Sequence, residues 1–233
     1  MPVGSWSLSD VPLAQAAEVD TFVTEKRRQE HLSGRRLLGE ALLAWGVSDL
    51  SVIEVHRDQF RAPSVRFIQG VWKRTPLPNI SISHSEGMAF VALSPASHQV
   101  GLDAEPLGRT LAENAIDMMA RGEELASLRA EPTHVFQAWT GKEAVQKSLG
   151  VGMHLNPRDI EIPIGSSLEE ISIEKSKIQL QYWSEKGYHL SLATTPSAPS
   201  ESSPEDLLLE RTRAAMKAQP DWGVGCKTQR KGA

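Results

Sequence analysis

The sequence predicts an α+β fold, on three observations. Helix-like and strand-like segments come in blocks (helix, strands, helices, strands, tail) rather than in regular βαβα alternation, which disfavours a doubly wound parallel sheet. The strand candidates are short and rich in β-branched residues. Across 233 residues, 40% are apolar and 23% charged, a mixture that supports a packed core and excludes global disorder.

Taken in order, Leu13 to Trp45 reads as mostly helical. Leu37, Leu38, Ala41, Leu42 and Trp45 recur at helical spacing, and Gly46 is the expected stop. Lys26, Arg27, Arg28, Arg35 and Arg36 crowd this helix, forming either a solvated face or an anion site. Leu50 to His56 alternates like a strand. Residues 57–79, with Pro63, Gly70, Pro76 and Pro78, read as a loop or a poorly formed hairpin. Asn79 to Ser83 and Met88 to Leu93 are strands around a tight His84–Gly87 connection, and Gln99 to Asp103 starts another.

Helices are expected over Leu111 to Arg129 and over Pro132 to Leu149, the latter ended by Gly150. Residues 160–164, 171–182 and 188–194 are further strand candidates. Residues 196–204 are rich in Ser and Pro, as a linker is, followed by a short helix from Ser203 to about Gln219 and a mobile tail. The expected organisation is an N-terminal half (1–100), a C-terminal half (101–195) and an appendage (196–233). Each half would be a helix on a small antiparallel sheet, although the sequence shows no internal repeat.

The net charge of −4 argues against a nucleic-acid binder. Cys226 is the only cysteine, so no intrachain disulfide and no cysteine metal site can form. Met1 to Asp10 lacks the pattern of a signal peptide, and no apolar run approaches the ~18 residues of a membrane helix. A soluble cytoplasmic protein is the expectation.

Three clusters carry candidate chemistry. In Gly101-Leu102-Asp103-Ala104-Glu105, strand geometry puts Asp103 and Glu105 on one face. Two close carboxylates are either an exposed pair or ligands of a hard cation such as Mg²⁺. In Trp139-Thr140-Gly141-Lys142-Glu143-Ala144-Val145-Gln146-Lys147, a helix aligns Trp139, Glu143 and Lys147. Glu143–Lys147 is then a surface pair, or Glu143 is a third acid beside a cation. In Ser81-Ile82-Ser83-His84-Ser85, His84 sits in a polar turn or donates to a phosphate oxygen.

In this order and spacing the three clusters resemble the Sfp-type 4′-phosphopantetheinyl transferases. That family carries G-[IVL]-D-x-E, a later [FW]-x-x-K-E-[SA]-x-x-K helix and an upstream Ser-His-Ser. The segment Arg35 to Leu42 is similar to its arginine-containing N-terminal helix, and the resemblance covers about residues 10–195. It implies a pseudo-dimer of two similar α+β halves with the active site in the cleft between them. The implied reaction is Mg²⁺-dependent transfer of phosphopantetheine from coenzyme A to a serine of an acyl or peptidyl carrier protein, with release of 3′,5′-ADP. The implied context is secondary-metabolite biosynthesis by a monomer.

By the same resemblance, Asp103, Glu105 and Glu143 are metal ligands, and Glu143 is also the candidate general base. Lys147 contacts the pyrophosphate and the leaving group, Ser83 and His84 bind phosphate, and Arg35 holds the 3′-phosphate of coenzyme A. Arg36 and Lys26 are lesser candidates for that contact, and Lys142 has no clear role. One departure stands out. The family's Gly-[KR]-Pro segment is replaced by Phe60-Arg61-Ala62-Pro63, leaving Arg61, Arg66 or Lys73 as substitutes. Val151 and Met153 would face the carrier protein. The alternative is a non-catalytic relative that binds coenzyme A or a carrier.

Overall fold

A computed structural model describes residues 1–71 and 76–197. Lys73, Cys226 and the expected appendage after Ser197 lie outside the described residues. Met1–Ser197 forms one compact unit.

The short helix α1 (Ala16–Val19) is followed by the long helix α2 (Glu25–Trp45). The single helix expected from Leu13 therefore starts twice. Thr24 restarts the chain as an N-cap, its hydroxyl accepting from the Arg27 N–H. Gly46 ends α2 in the left-handed region at φ 107°, where the Val47 N–H returns to the Leu42 carbonyl.

Strands β1 (Ile53–Arg57) and β2 (Pro63–Phe67) form an antiparallel hairpin within the stretch expected to be mostly loop. Asp58 makes it regular. Its carboxylate accepts the Phe60 and Ala62 N–H groups and closes the turn. Strands β3 (Asn79–Ser85) and β4 (Met88–Ser94) form a second hairpin. Its two-residue turn is Glu86-Gly87, both at positive φ, so His84 and Ser85 lie in the strand rather than in a turn. Buried Leu38 and Leu42 of α2 pack with Ile53, Val55 and Ile80 into the core of this region.

Strand β5 (His98–Pro106) leaves the β3–β4 region and joins β8 (Tyr188–Pro196), β7 (Ser176–Glu185) and β6 (Leu168–Ile173) in a four-stranded antiparallel sheet of order β5-β8-β7-β6. Helices α3 (Glu113–Met119) and α4 (Gly122–Ala130) replace the one helix expected over 111–129. Ala120 takes an extended conformation there and breaks the run. Helix α5 (Val135–Ser148) lies on the sheet, with Ala144 and Val145 buried against Ile178, Leu180 and Ala193.

Residues 160–164 are not a strand. Ile160 and Ile162 are buried in the α5 core, but the Ile160 carbonyl is claimed by a lysine side chain instead of a neighbouring strand. Among the described residues no helix is long and apolar enough to cross a membrane. Mixed helices and antiparallel sheets agree with the α+β expectation.

Candidate active site

The site is built where β3, β5 and α5 meet. Period-two alternation puts Ser81, Ser83 and Ser85 on one buried face of β3. They meet β5 in step. Ser81 Oγ accepts from the Leu102 N–H at 2.9 Å, Ser83 Oγ donates to Asp103 Oδ1 at 3.0 Å, and Ser85 Oγ donates to Glu105 Oε2 at 2.9 Å. The two strands are thus joined by side chains rather than by a backbone ladder. Each motif carboxylate is oriented by one serine.

Gly101 explains the first position of the motif. A Cβ there would fall 1.9 Å from the Ala144 carbonyl oxygen and 2.4 Å from the Ser148 nitrogen. Only glycine lets α5 lie this close to β5, and that approach brings Glu143 and Lys147 over Asp103. Lys147 Nζ donates to Asp103 Oδ1 at 2.6 Å and to the Leu102 carbonyl at 3.2 Å, and lies 3.8 Å from Glu143. Glu105 is turned the other way along β5, toward Arg109. Burial, and then the neighbouring Asp103 carboxylate with a smaller push from Glu105, raises the Glu143 carboxyl to about 7 against the opposing Lys147 charge.

These groups suit a hard divalent cation in donor chemistry. The donors are all oxygen, Asp103 Oδ2 is buried without a hydrogen-bond partner, and Glu143 is held against a second carboxylate. Among the described residues no group of three acids, histidines or cysteines is placed so that it could hold a metal ion. Asp103 pairs with Lys147 and Glu105 with Arg109.

Beside this acid cluster lies a cleft of about 490 Å³. Arg27, Glu30, His31 and Arg35 of α2 line it, with Arg57, Phe60 and Arg61 of the β1–β2 hairpin, His84 of β3, and Lys147. The hairpin turn spans it. Phe60, which lines the cleft, meets His154 of the turn after α5 edge-on at 5.0 Å between ring centroids. Arg35 is only 2% exposed, yet its Nε and Nη1 have no hydrogen-bond partner. Buried guanidinium donors left open at a cleft are what an anion would satisfy.

Not all expected residues share the cleft. Ser83 and His84 are strand neighbours and face opposite ways, Ser83 toward Asp103 and His84 toward buried Glu30, 3.6 Å from its carboxylate. Burial pushes His84 down, and Glu30 partly offsets this. Arg36 does not line the cleft. It lies over Trp6 at 4.1 Å and pairs with Glu40. Lys26 is exposed beside Glu30, and Arg66 pairs with Glu54. Val151 is half-buried, and Met153 is 71% exposed on the turn after α5.

Lys142 acquires a definite role. It is 1% exposed, and its Nζ donates to Glu124 at 2.8 Å, to the Pro157 carbonyl at 3.0 Å and to the Ile160 carbonyl. It anchors α4 and the 157–160 segment to α5 rather than touching the site. Arg57, Glu30 and Glu18 are functional neighbours that sequence patterns did not single out. The Ser-x-Ser-x-Ser alternation was the signal that could have found Ser85.

Residues 99–193, from the start of β5 to β8, match the sequence model of the 4′-phosphopantetheinyl transferase superfamily. The match therefore contains Asp103, Glu105, Glu143 and Lys147. No curated protein matches the chain.

Proposed function

We propose that the protein transfers the 4′-phosphopantetheine arm of coenzyme A to a serine hydroxyl of an acyl or peptidyl carrier protein, as the Sfp-type enzymes it resembles do. One observation carries this reading. Lys147 lines the arginine-bearing cleft and also bonds Asp103, so a single cation connects an anion-binding pocket to the motif carboxylates. The superfamily match over residues 99–193 supports it.

In this reading the cleft holds the nucleotide end of coenzyme A, with the open donors of Arg35 on its 3′-phosphate and His84 on a pyrophosphate oxygen. Asp103, Glu105 and Glu143 would hold Mg²⁺. When bound, the ion would neutralise charge on the pyrophosphate and on the departing phosphate. The carrier serine oxygen attacks the phosphorus bearing the pantetheine arm, and the bond from that phosphorus to the bridging oxygen breaks. That oxygen leaves with 3′,5′-ADP. Glu143 takes the serine proton directly or through water. Lys147 faces the leaving oxygen and stabilises its charge. Ser83 and Ser85 hold the carboxylates in place rather than touching phosphate. In this reading the regions built on α2 and α5 would correspond to the two halves of the expected pseudo-dimer, and the exposed Met153 would meet the carrier.

The test is intact-mass analysis of several apo carrier proteins incubated with this protein, coenzyme A and Mg²⁺, with and without chelator. Addition of one phosphopantetheine, lost on chelation, is the expected result. Coenzyme A binding without any product would instead identify a non-catalytic relative.

A further inference from the structure

The carboxylate of Glu18, on α1, sits at the back of the cleft between two arginines. Its Oε2 accepts from Arg35 Nη2 at 2.8 Å, and its Oε1 accepts from Arg57 Nε. Arg57 also donates through Nη1 to the Arg61 carbonyl at 2.9 Å, which leaves its Nη2 without a partner among the described residues. Arg35 is left with Nε and Nη1 open and buried. Both arginines line the cleft, and Glu18 is not among its lining residues. Each guanidinium is therefore gripped by Glu18 through one edge and keeps donors without a partner among the described residues, and both side chains line the cleft. A guanidinium offers five N–H donors in a rigid planar fork, so fixing one edge fixes the other.

We propose that Glu18 is a positioning residue that presents Arg35 and Arg57 together as a clamp for a terminal phosphate monoester, and that Arg57 supplies the cation that the family's missing Gly-[KR]-Pro segment would have supplied. The inference rests on the coenzyme A reading above and deepens it. A monoester dianion has three terminal oxygens to meet donors from two guanidiniums, whereas a hydroxyl has no charge to offer. Burial keeps His31, 3.7 Å from Glu18, a neutral imidazole with a value of about 4, so the charge of the clamp comes from the arginines. Charge alone predicts that removing Glu18 strengthens anion binding, because a negative charge leaves the cleft wall. Positioning predicts the reverse. Without Glu18, buried Arg35 loses its one partner and the two forks lose their common anchor.

The experiment compares coenzyme A with dephospho-coenzyme A, which lacks only the 3′-phosphate, for wild type, Glu18→Gln, Glu18→Asp and Arg57→Gln. Binding is read by isothermal titration, and KM and kcat by carrier labelling. Glu18→Gln and Arg57→Gln are expected to cut the preference for coenzyme A tenfold or more, through KM rather than kcat, and Glu18→Asp to restore part of it. Should Glu18→Gln fail to fold, Glu18→Asp and Arg57→Gln carry the comparison. An unchanged or increased preference in the variants overturns the clamp. A Glu18-dependent preference in titration without any transfer leaves the clamp standing and removes the transferase reading. Transfer with an intact preference in the variants does the opposite, and binding of neither ligand removes both.

Discussion

Lys147 Nζ lies 2.6 Å from Asp103 Oδ1, joining the last turn of α5 to the middle of β5. Asp103 is 4% exposed, so the lysine is the cation nearest a carboxylate that water reaches poorly. Removing one partner of such a pair leaves the other charge uncompensated, a larger effect than the net worth of the pair. Lys147→Ala is expected to lower stability by about 1–3 kcal/mol and to cost transfer at least ~100-fold. Thermal melts and single-turnover carrier labelling separate the two effects. Asp103→Asn with Lys147→Ala should melt higher than Lys147→Ala alone, because the stranded charge is gone.

Lys142, five residues earlier, behaves differently. Its ammonium ties together Glu124 and two backbone carbonyls away from the cleft. Lys142→Ala strands the half-buried Glu124 charge without its cation and leaves the Ile160 carbonyl without a donor among the described residues, while the Pro157 carbonyl keeps the Ile160 N–H. It is expected to destabilise the fold by about 3 kcal/mol. Below the lowered melting temperature it should still bind coenzyme A like the wild type. A tenfold loss of affinity in protein shown to be folded by circular dichroism would contradict this division between the two motif lysines.

Gly101→Ala tests why the motif begins with glycine. The added methyl meets the backbone of α5 at Ala144 and Ser148, which cannot rotate away as a side chain would. Relieving the overlap requires α5 to move off β5, at a cost at or above the ~1–3 kcal/mol typical of overpacking. That shift would also carry Glu143 and Lys147 away from Asp103. The expected variant melts lower and, where folded, has lost most of its transfer rate and part of its coenzyme A affinity, because Lys147 moves with α5. Gly87→Ala, whose added methyl meets nothing, is a control for the effect of the methyl itself, though its positive φ of 80° brings a strain penalty of its own.

How much of this was readable beforehand differs by element. Strand alternation placed Asp103 and Glu105 on one face, and helical spacing aligned Glu143 with Lys147, because both depend only on local geometry. The seam between Ser83 and Asp103 depends on contacts 20 residues apart in sequence. Nothing local announces it except the alternating serines. The 160–164 segment reads as a strand because Ile160, Ile162 and Ile164 alternate, but alternation does not supply a pairing partner. Lys142 supplied the hydrogen bond instead. His84 was placed in a turn because a histidine between serines is polar, whereas Glu86-Gly87 is the pair able to turn. Glu18 went unnoticed since its meaning lies in two arginines 17 and 39 residues away.

The Glu143 carboxyl makes stability depend on pH in a direction that can be worked out. Its value rises from 4.5 to about 7 on folding, first through burial and then through Asp103. Between those values the folded protein keeps a proton that the unfolded chain has lost. The slope of unfolding free energy with pH follows the protons bound by the unfolded state minus those bound by the folded state, so it is negative here. Stability from this group is fully present below about 4.5, declines as pH rises, and levels off above about 7. Histidines that burial pushes down, such as His84, act in the opposite sense over part of this range, so the measurement is a difference between proteins. Melting temperatures of wild type and Glu143→Gln are compared from pH 5 to pH 8 in chelator. The variant, neutral throughout, is expected to gain on the wild type as pH rises to about 7 and to keep that gain, as the more stable of the two, at pH 8. A difference that stays constant with pH would mean that the Glu143 carboxyl is not buried beside Asp103 in solution.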